Sequence, residues 1–187
     1  MLRPAHIGHL ALLRSLIRDG VRDGSFQPEL AWDSAVSGRF FAELRQALKS
    51  GYFVVEDLET GSLKTVAVPG YVYWADESAA AEPPVGFGLF RAAPGGGYEL
   101  WLAGLDNAFR GKGHGRAMLD ALFATPTGQQ TRFMRVRREG RYARAVARLL
   151  ATHGFTATRE TRHETWFVRA ANRMPLPRGA ATLPFAS

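Results

Sequence analysis

The stretch Arg110-Gly111-Lys112-Gly113-His114-Gly115-Arg116 decides how the rest of the chain is read. Three glycines on alternate residues let the backbone come close to a ligand without Cβ clashes. Before the stretch runs the apolar segment Tyr98 to Leu105, which reads as a strand; after it, Ala117 to Phe123 reads as the first turns of a helix. A glycine-rich turn that opens a helix aims several unpaired N–H groups and the positive end of the helix dipole at one spot. Arg110, Lys112 and Arg116 add side-chain charge at the same place, so the stretch suits an anion, and phosphate above all. Spacing narrows the kind. Lys112 is followed by Gly113 where a Walker loop needs Ser or Thr, and Gly111, Gly113 and Gly115 give G-x-G-x-G where a dinucleotide fingerprint needs G-x-G-x-x-G. What remains is R-x-x-G-x-G on Arg110, Gly113 and Gly115.

Outward from this loop the chain alternates between two periodicities. Leu2 to Pro4 suits a short strand, and Ile7, Leu10, Leu13, Leu16 and Ile17 form the apolar stripe of a helix over 6–19. Asp33 or Ser34 can cap a second helix, whose apolar face is Val36, Phe40, Phe41, Leu44 and Leu48 and whose end is Gly51. Strands are predicted at 52–55, 65–68, 71–74 and 85–90, with a loop over 76–84. Downstream of the glycine loop come a helix over 116–124, a strand over 132–137, a helix over 142–153 stopped by Gly154, and strands at 155–158 and 165–168. Pro175, Pro177 and Pro184 mark an irregular tail over 171–187. The pattern predicts an α/β domain built round one sheet.

Composition bounds the function. The 187 residues fit one domain, and a hydrophobic fraction of 46% is that of a globular protein. No run approaches the ~20 apolar residues of a membrane span, and the N-terminus lacks the pattern of a signal peptide, so no membrane partner is expected. The absence of cysteine excludes disulfides, thiolate metal sites and a cysteine nucleophile, and agrees with a cytoplasmic location. His6 and His9 do not have zinc-ligand spacing with any other histidine, so no metal is expected. The formal charge of +7 favours anionic partners, whether a phosphorylated cofactor, RNA or an acidic protein.

The R-x-x-G-x-G loop resembles the signature of the GNAT superfamily of N-acetyltransferases. The helix closing on His153-Gly154-Phe155 resembles that family's second motif, and the element order is similar over residues 1–170, with an insertion at about 61–84. The resemblance implies a GNAT fold: a single mixed, largely antiparallel sheet flanked by helices, with splayed central strands. It also implies acetyl-CoA as acyl donor, with its pyrophosphate on Arg110, Gly111, Lys112, Gly113, His114, Gly115 and Arg116. The pantetheine arm would lie along Ala103, Gly104 and Leu105. Gly104 makes independent sense, since glycine inside a strand marks a bulge or a close backbone approach.

Acyl transfer needs a neutral amine, hence a general base, and an acid helps the thiolate leave. Glu99, six residues before Leu105, corresponds to the base glutamate of histone-type members and is the candidate base. The tyrosine that many members place four residues before the Gly of Gly-Phe is Leu150 here, and the asparagine seven residues earlier is Ala143. Leucine cannot donate a proton. Tyr142 is close in sequence, but on a helix running through it the side chain should face elsewhere.

Arg135 and Arg137 share one strand face, and Arg141, Arg144 and Arg148 one side of a helix; both sets suit the 3′-phosphate of coenzyme A, an RNA backbone or a solvated surface. Phe26, Trp32, Tyr71, Tyr73 and Trp74 are candidates for an acceptor cleft or for the core. The expected activity is transfer of an acetyl group to a primary amine on a small molecule or a protein. A non-catalytic acyl-CoA-binding module and a tRNA-directed acetyltransferase are the alternatives, and a homodimer is compatible with the sequence.

Overall fold

The computed structural model describes residues 1–30, 34–56, 62–76, 82–93 and 96–170. Strand β1 (Leu2–Pro4) leads through a 3₁₀ turn into α1 (Leu10–Arg22), and α2 (Ala35–Ser50) follows. His6 and His9 cap the turn between them: the His6 ring accepts from the Gly8 amide at 3.1 Å, and the His9 ring from the His6 amide at 3.1 Å. Ser34 caps α2 by accepting from the Ser37 amide at 3.2 Å, and Gly51 closes it at φ 78°. Asp33, Trp32 and the tail over 171–187 lie outside the described residues.

Strands β2 (Tyr52–Glu56) and β3 (Leu63–Ala67) pair as a separate hairpin. The main sheet has seven strands: β1, β4 (Gly70–Tyr73), β5 (Gly86–Ala92), β6 (Tyr98–Leu105), β7 (Thr131–Arg137), β9 (Glu164–Arg169) and β8 (Phe155–Glu160), in that spatial order. All neighbours are antiparallel except β6 and β7, which are joined by a crossover through α3 (His114–Ala124) and the short α4 (Pro126–Gln129). Helix α5 (Ala143–Thr152) connects β7 to β8. Within the segment 61–84, set apart as an insertion in the sequence, β4 belongs to the main sheet and β3 to the separate hairpin.

Alternation along the strands divides the core in two. Val72, Phe87, Leu89 and Leu102 meet α1 and α2 on one face, through Leu13, Ile17, Phe41 and Leu44. Tyr73, Phe90, Leu100 and Leu105 meet α3 and α5 on the other, through Met118, Leu122 and Leu150. Strand β6 breaks its own alternation. Leu89 pairs with Leu102 but Phe90 pairs with Leu100, which leaves Trp101 as a bulge residue. Leu100 and Leu102 therefore fall on opposite faces although two residues apart. Gly104, by contrast, marks close approach: a Cβ there would lie 2.6 Å from the Phe87 ring. Both devices that glycine can signal are present in β6, at separate positions.

Candidate active site

Strands β6 and β7 pair only from Tyr98 to Leu100, against Thr131 to Met134, and then part. Both continue past that point, β6 to Leu105 and β7 to Arg137. The wedge between them opens into two adjoining cavities whose shared lining includes Ser25, Phe26, Ala103, Met134, Tyr142 and Val146.

The larger cavity, about 480 Å³, lies on the α3–α5 side. Its walls are Ala103, Gly104 and Leu105 of β6, the glycines of the loop, Met118 and Leu119 of α3, and Val146 and Leu149 of α5. At its end Gly111 and Gly113 adopt φ of 75° and 89°, and a Cβ on either would meet nothing within 4 Å, so the space over the loop is open. Gly113 is the N-cap of α3, with no side chain capping the helix. The first-turn amides of α3 therefore face that space without an intrahelical acceptor, as an anion site requires. Lys112 is exposed, and Arg116 lines the cavity with only a long 3.9 Å contact to Asp120.

Arg110 plays a different part from its neighbours. Its Nε donates to the Leu105 carbonyl at 2.8 Å, its Nη1 is ion-paired with Asp23, and its guanidinium lies 4.8 Å from the Tyr142 ring centroid. Both members of the ion pair are largely buried. Arg110 thus ties the loop to the end of β6, to the segment after α1 and to the start of α5.

The smaller cavity, about 200 Å³, lies on the α1–α2 side. Phe26, Leu30, Phe40 and Trp101 form its apolar wall, and Arg135, Arg137 and Glu164 its charged one. Of the aromatic residues singled out in the sequence, Phe26 lines both cavities, whereas Tyr73 and Trp74 are core. Trp101 and Phe40 were not singled out. Trp101 follows Leu100 onto the opposite face, and the bulge brings Leu102 to that same side, which strict alternation does not predict.

Glu99 is 8% exposed and is not in the lining of either cavity. Arg91 Nη2 reaches its Oε2 at 2.5 Å, and Arg135 Nε donates to its Oε1 at 2.7 Å. The carboxylate that does line the smaller cavity is Glu164, whose nearest cation is Arg135 Nη1 at 3.9 Å. Arg137 donates from Nη2 to Glu139 at 2.9 Å, while its Nε is buried without an acceptor among the described residues. Hydrogen bonds from His163 and Arg137 hold the Glu139 carboxyl below its ordinary range.

Tyr142 departs from expectation. Helix α5 begins at Ala143, so Tyr142 is its N-cap residue at φ −107°, ψ 8°, and helical rotation does not set its direction. It lines both cavities at their junction. Leu150, at the position where a tyrosine was looked for, is fully buried among the residues packed between α5 and the sheet.

Among the described residues no helix is long and apolar enough to cross a membrane, and no group of three or more His, Asp or Glu residues could hold a metal. No protein-family model matches the chain, and no curated protein sequence does. Solved structures match over nearly the whole chain. PaiA N-acetyltransferase of Thermoplasma acidophilum, in complex with coenzyme A, is 14% identical, with TM-score 0.59 over 90% of this chain and 97% of that one. YncA of Salmonella typhimurium, with its cofactor acetyl-CoA, is 19% identical, with TM-score 0.59 over 95% and 96%. Diaminobutyrate acetyltransferase EctA of Paenibacillus lautus, in complex with its substrate L-2,4-diaminobutyric acid and coenzyme A, is 16% identical, with TM-score 0.53 over 91% and 94%. At these identities the likeness is one of fold: the chain has the GNAT fold.

Proposed function

We propose that this chain is an acetyl-CoA-dependent N-acetyltransferase acting on a primary amine. The observation that carries the reading is the wedge between β6 and β7, which joins a phosphate-suited helix start to a charged pocket on the opposite side of the sheet. Acetyl-CoA would supply a thioester carbonyl that the amine attacks, forming an N–C bond as the C–S bond breaks.

The residues present fit such a donor. Open positions at Gly111 and Gly113 leave room for a pyrophosphate on the α3 amides, with Lys112, His114, Gly115 and Arg116 around it. Past Leu100 the edge of β6 that faces β7 has no partner strand, so at Ala103 and Gly104 it offers backbone hydrogen bonds to an extended amide-bearing arm, beside Leu105 and against the apolar wall of Met118, Leu119 and Leu149. In this reading Arg110 belongs to the cofactor site as its brace, since its Nε and Nη1 are already engaged.

Proton removal from the amine falls to a carboxylate on the acceptor side. We assign it to Glu164, which lines that cavity directly. Glu99 is the second reading: it is the residue the family resemblance implies, and it sits on β6 two residues before the bulge. Both of its oxygens already accept from guanidinium groups, Oε2 from Arg91 and Oε1 from Arg135, and it is not in the lining of the cavity. Tyr142 is the hydroxyl at the junction and takes the place of Leu150 as proton donor to the thiolate.

Calorimetry with coenzyme A, followed by thiol release from acetyl-CoA over a panel of amines, tests the activity. Binding without release would instead favour an acyl-CoA-binding module, the reading that the burial of Leu150 supports. A loss of kcat of about 10²–10⁴-fold in Glu164→Gln, against a small loss in Glu99→Gln, is expected. The reverse order returns the base to Glu99.

A further inference from the structure

The smaller cavity is selective in its charges. In the β7–β9 ladder Arg137 stands directly opposite Glu164, so the two side chains rise from neighbouring backbone positions on one face of the sheet. They do not pair with each other. Arg137 sends Nη2 sideways to Glu139, an exposed residue, and among the described residues the Glu164 carboxylate has only the 3.9 Å contact with Arg135. The Arg137 side chain lines the cavity, and of its donors only Nη2 has an acceptor among the described residues. A guanidinium whose donors are not all taken is satisfied best by a carboxylate. Directly opposite, Glu164 is an acceptor-only group of the kind that holds an ammonium.

We propose that this cavity takes an acceptor bearing a carboxylate close to its amine, an amino acid in chemical class, with Arg137 on the carboxylate and Glu164 on the ammonium. The inference rests on the acetyltransferase reading of the adjoining cavity and names the substrate class for it. Directly opposed residues of an antiparallel pair carry Cβ atoms about 4.5–5.5 Å apart, so two long side chains rising from them can both reach one small molecule. The volume agrees: about 200 Å³ falls below the roughly 300–1,000 Å³ of drug-sized sites. Phe26, Phe40 and Trp101 form an apolar wall for the rest of the molecule. Arg135, fixed by Glu99, adds a second positive charge beside the first. Glu99 on this view is a positioning residue for Arg135.

The test compares matched ligands that differ in the carboxylate alone. L-methionine, L-methioninamide and 3-(methylthio)propylamine form one series, and the corresponding leucine and phenylalanine compounds form two more. Calorimetric titration onto the full chain, with and without coenzyme A, should show the amino acid binding about 10–100-fold more tightly than its amide or decarboxylated amine in at least one series. Arg137→Met should remove that preference, and Arg137→Lys should restore part of it. Equal binding within every series, or undetectable binding of all nine compounds, overturns the proposal, and neither outcome depends on whether the variants fold. Because binding is read directly, failure of coenzyme A to bind would defeat the acetyltransferase reading while leaving the carboxylate preference measurable.

Discussion

The two cavities in the wedge are built from different materials. The larger is made of backbone: glycines at positive φ, an uncapped helix start and the unpaired end of β6. The smaller is made of side chains from distant segments: Phe26, Phe40, Trp101, Arg137 and Glu164. A backbone site is specified by a few consecutive residues and tolerates change around it. A side-chain site depends on which residues the fold brings together and changes with single substitutions. In the proposed reading the first half binds a ligand of fixed chemistry, and the second sets what it is joined to.

The comparison can be broken most easily at Gly113. Gly113→Asp places a Cβ at φ 89° and a negative charge beside the α3 amides, so coenzyme A affinity should fall more than about 100-fold by calorimetry. Circular dichroism should still report a folded domain, because nothing lies within 4 Å of the new Cβ and the strain at that φ costs only about 1–2 kcal/mol. Unaltered affinity would remove the loop from the cofactor site. Arg110→Ala should behave in the opposite way. It leaves Asp23 largely buried without its cation and frees the Leu105 carbonyl, which should cost about 3 kcal/mol and lower the Tm by roughly 6–12 °C. A variant of normal stability that no longer binds coenzyme A would show that Arg110 contacts the ligand after all.

Smaller effects sharpen the junction between the halves. Leu150→Tyr should destabilise the chain by about 1–3 kcal/mol, since the site is fully buried and the added hydroxyl has no evident partner. It should not raise the rate of thiol release, and a faster variant would show that the proton donor is missing. Tyr142→Phe should slow thiol release about tenfold with the KM of both substrates unchanged, because a thiolate leaves readily even without an acid. An unchanged rate would leave Tyr142 as no more than a wall.

The lining of the larger cavity was almost completely legible in the sequence. Alternating glycines between an apolar strand and a helix start are a local pattern, and local geometry needs no distant partner. Strand β6 was bounded correctly at Tyr98 and Leu105 for the same reason. What failed to show depended on a single residue of register or on contacts between remote segments. Starting α5 at Ala143 rather than Tyr142 brings a tyrosine from the flank of a helix to the junction of the cavities. The bulge at Trp101 reverses the faces of half a strand without leaving a glycine or proline to mark it. Arg110 carried the right charge for an anion, but its partner Asp23 lies 87 residues away and claims it. Within the segment 61–84, comparison of element order alone did not show that β4 pairs with β5 in the main sheet.

By itself, then, the sequence determined the fold class and the anion-suited loop, because periodicity, glycine and helix-start chemistry act within a few residues. Only the tertiary structure decided which charges line the cavities. Arg110 and Glu99 are held in largely buried ion pairs across the fold, whereas Arg137, paired with the exposed Glu139, and Glu164, 3.9 Å from Arg135, line one small cavity. How far an opposite charge claims a side chain is a property of neighbours in space.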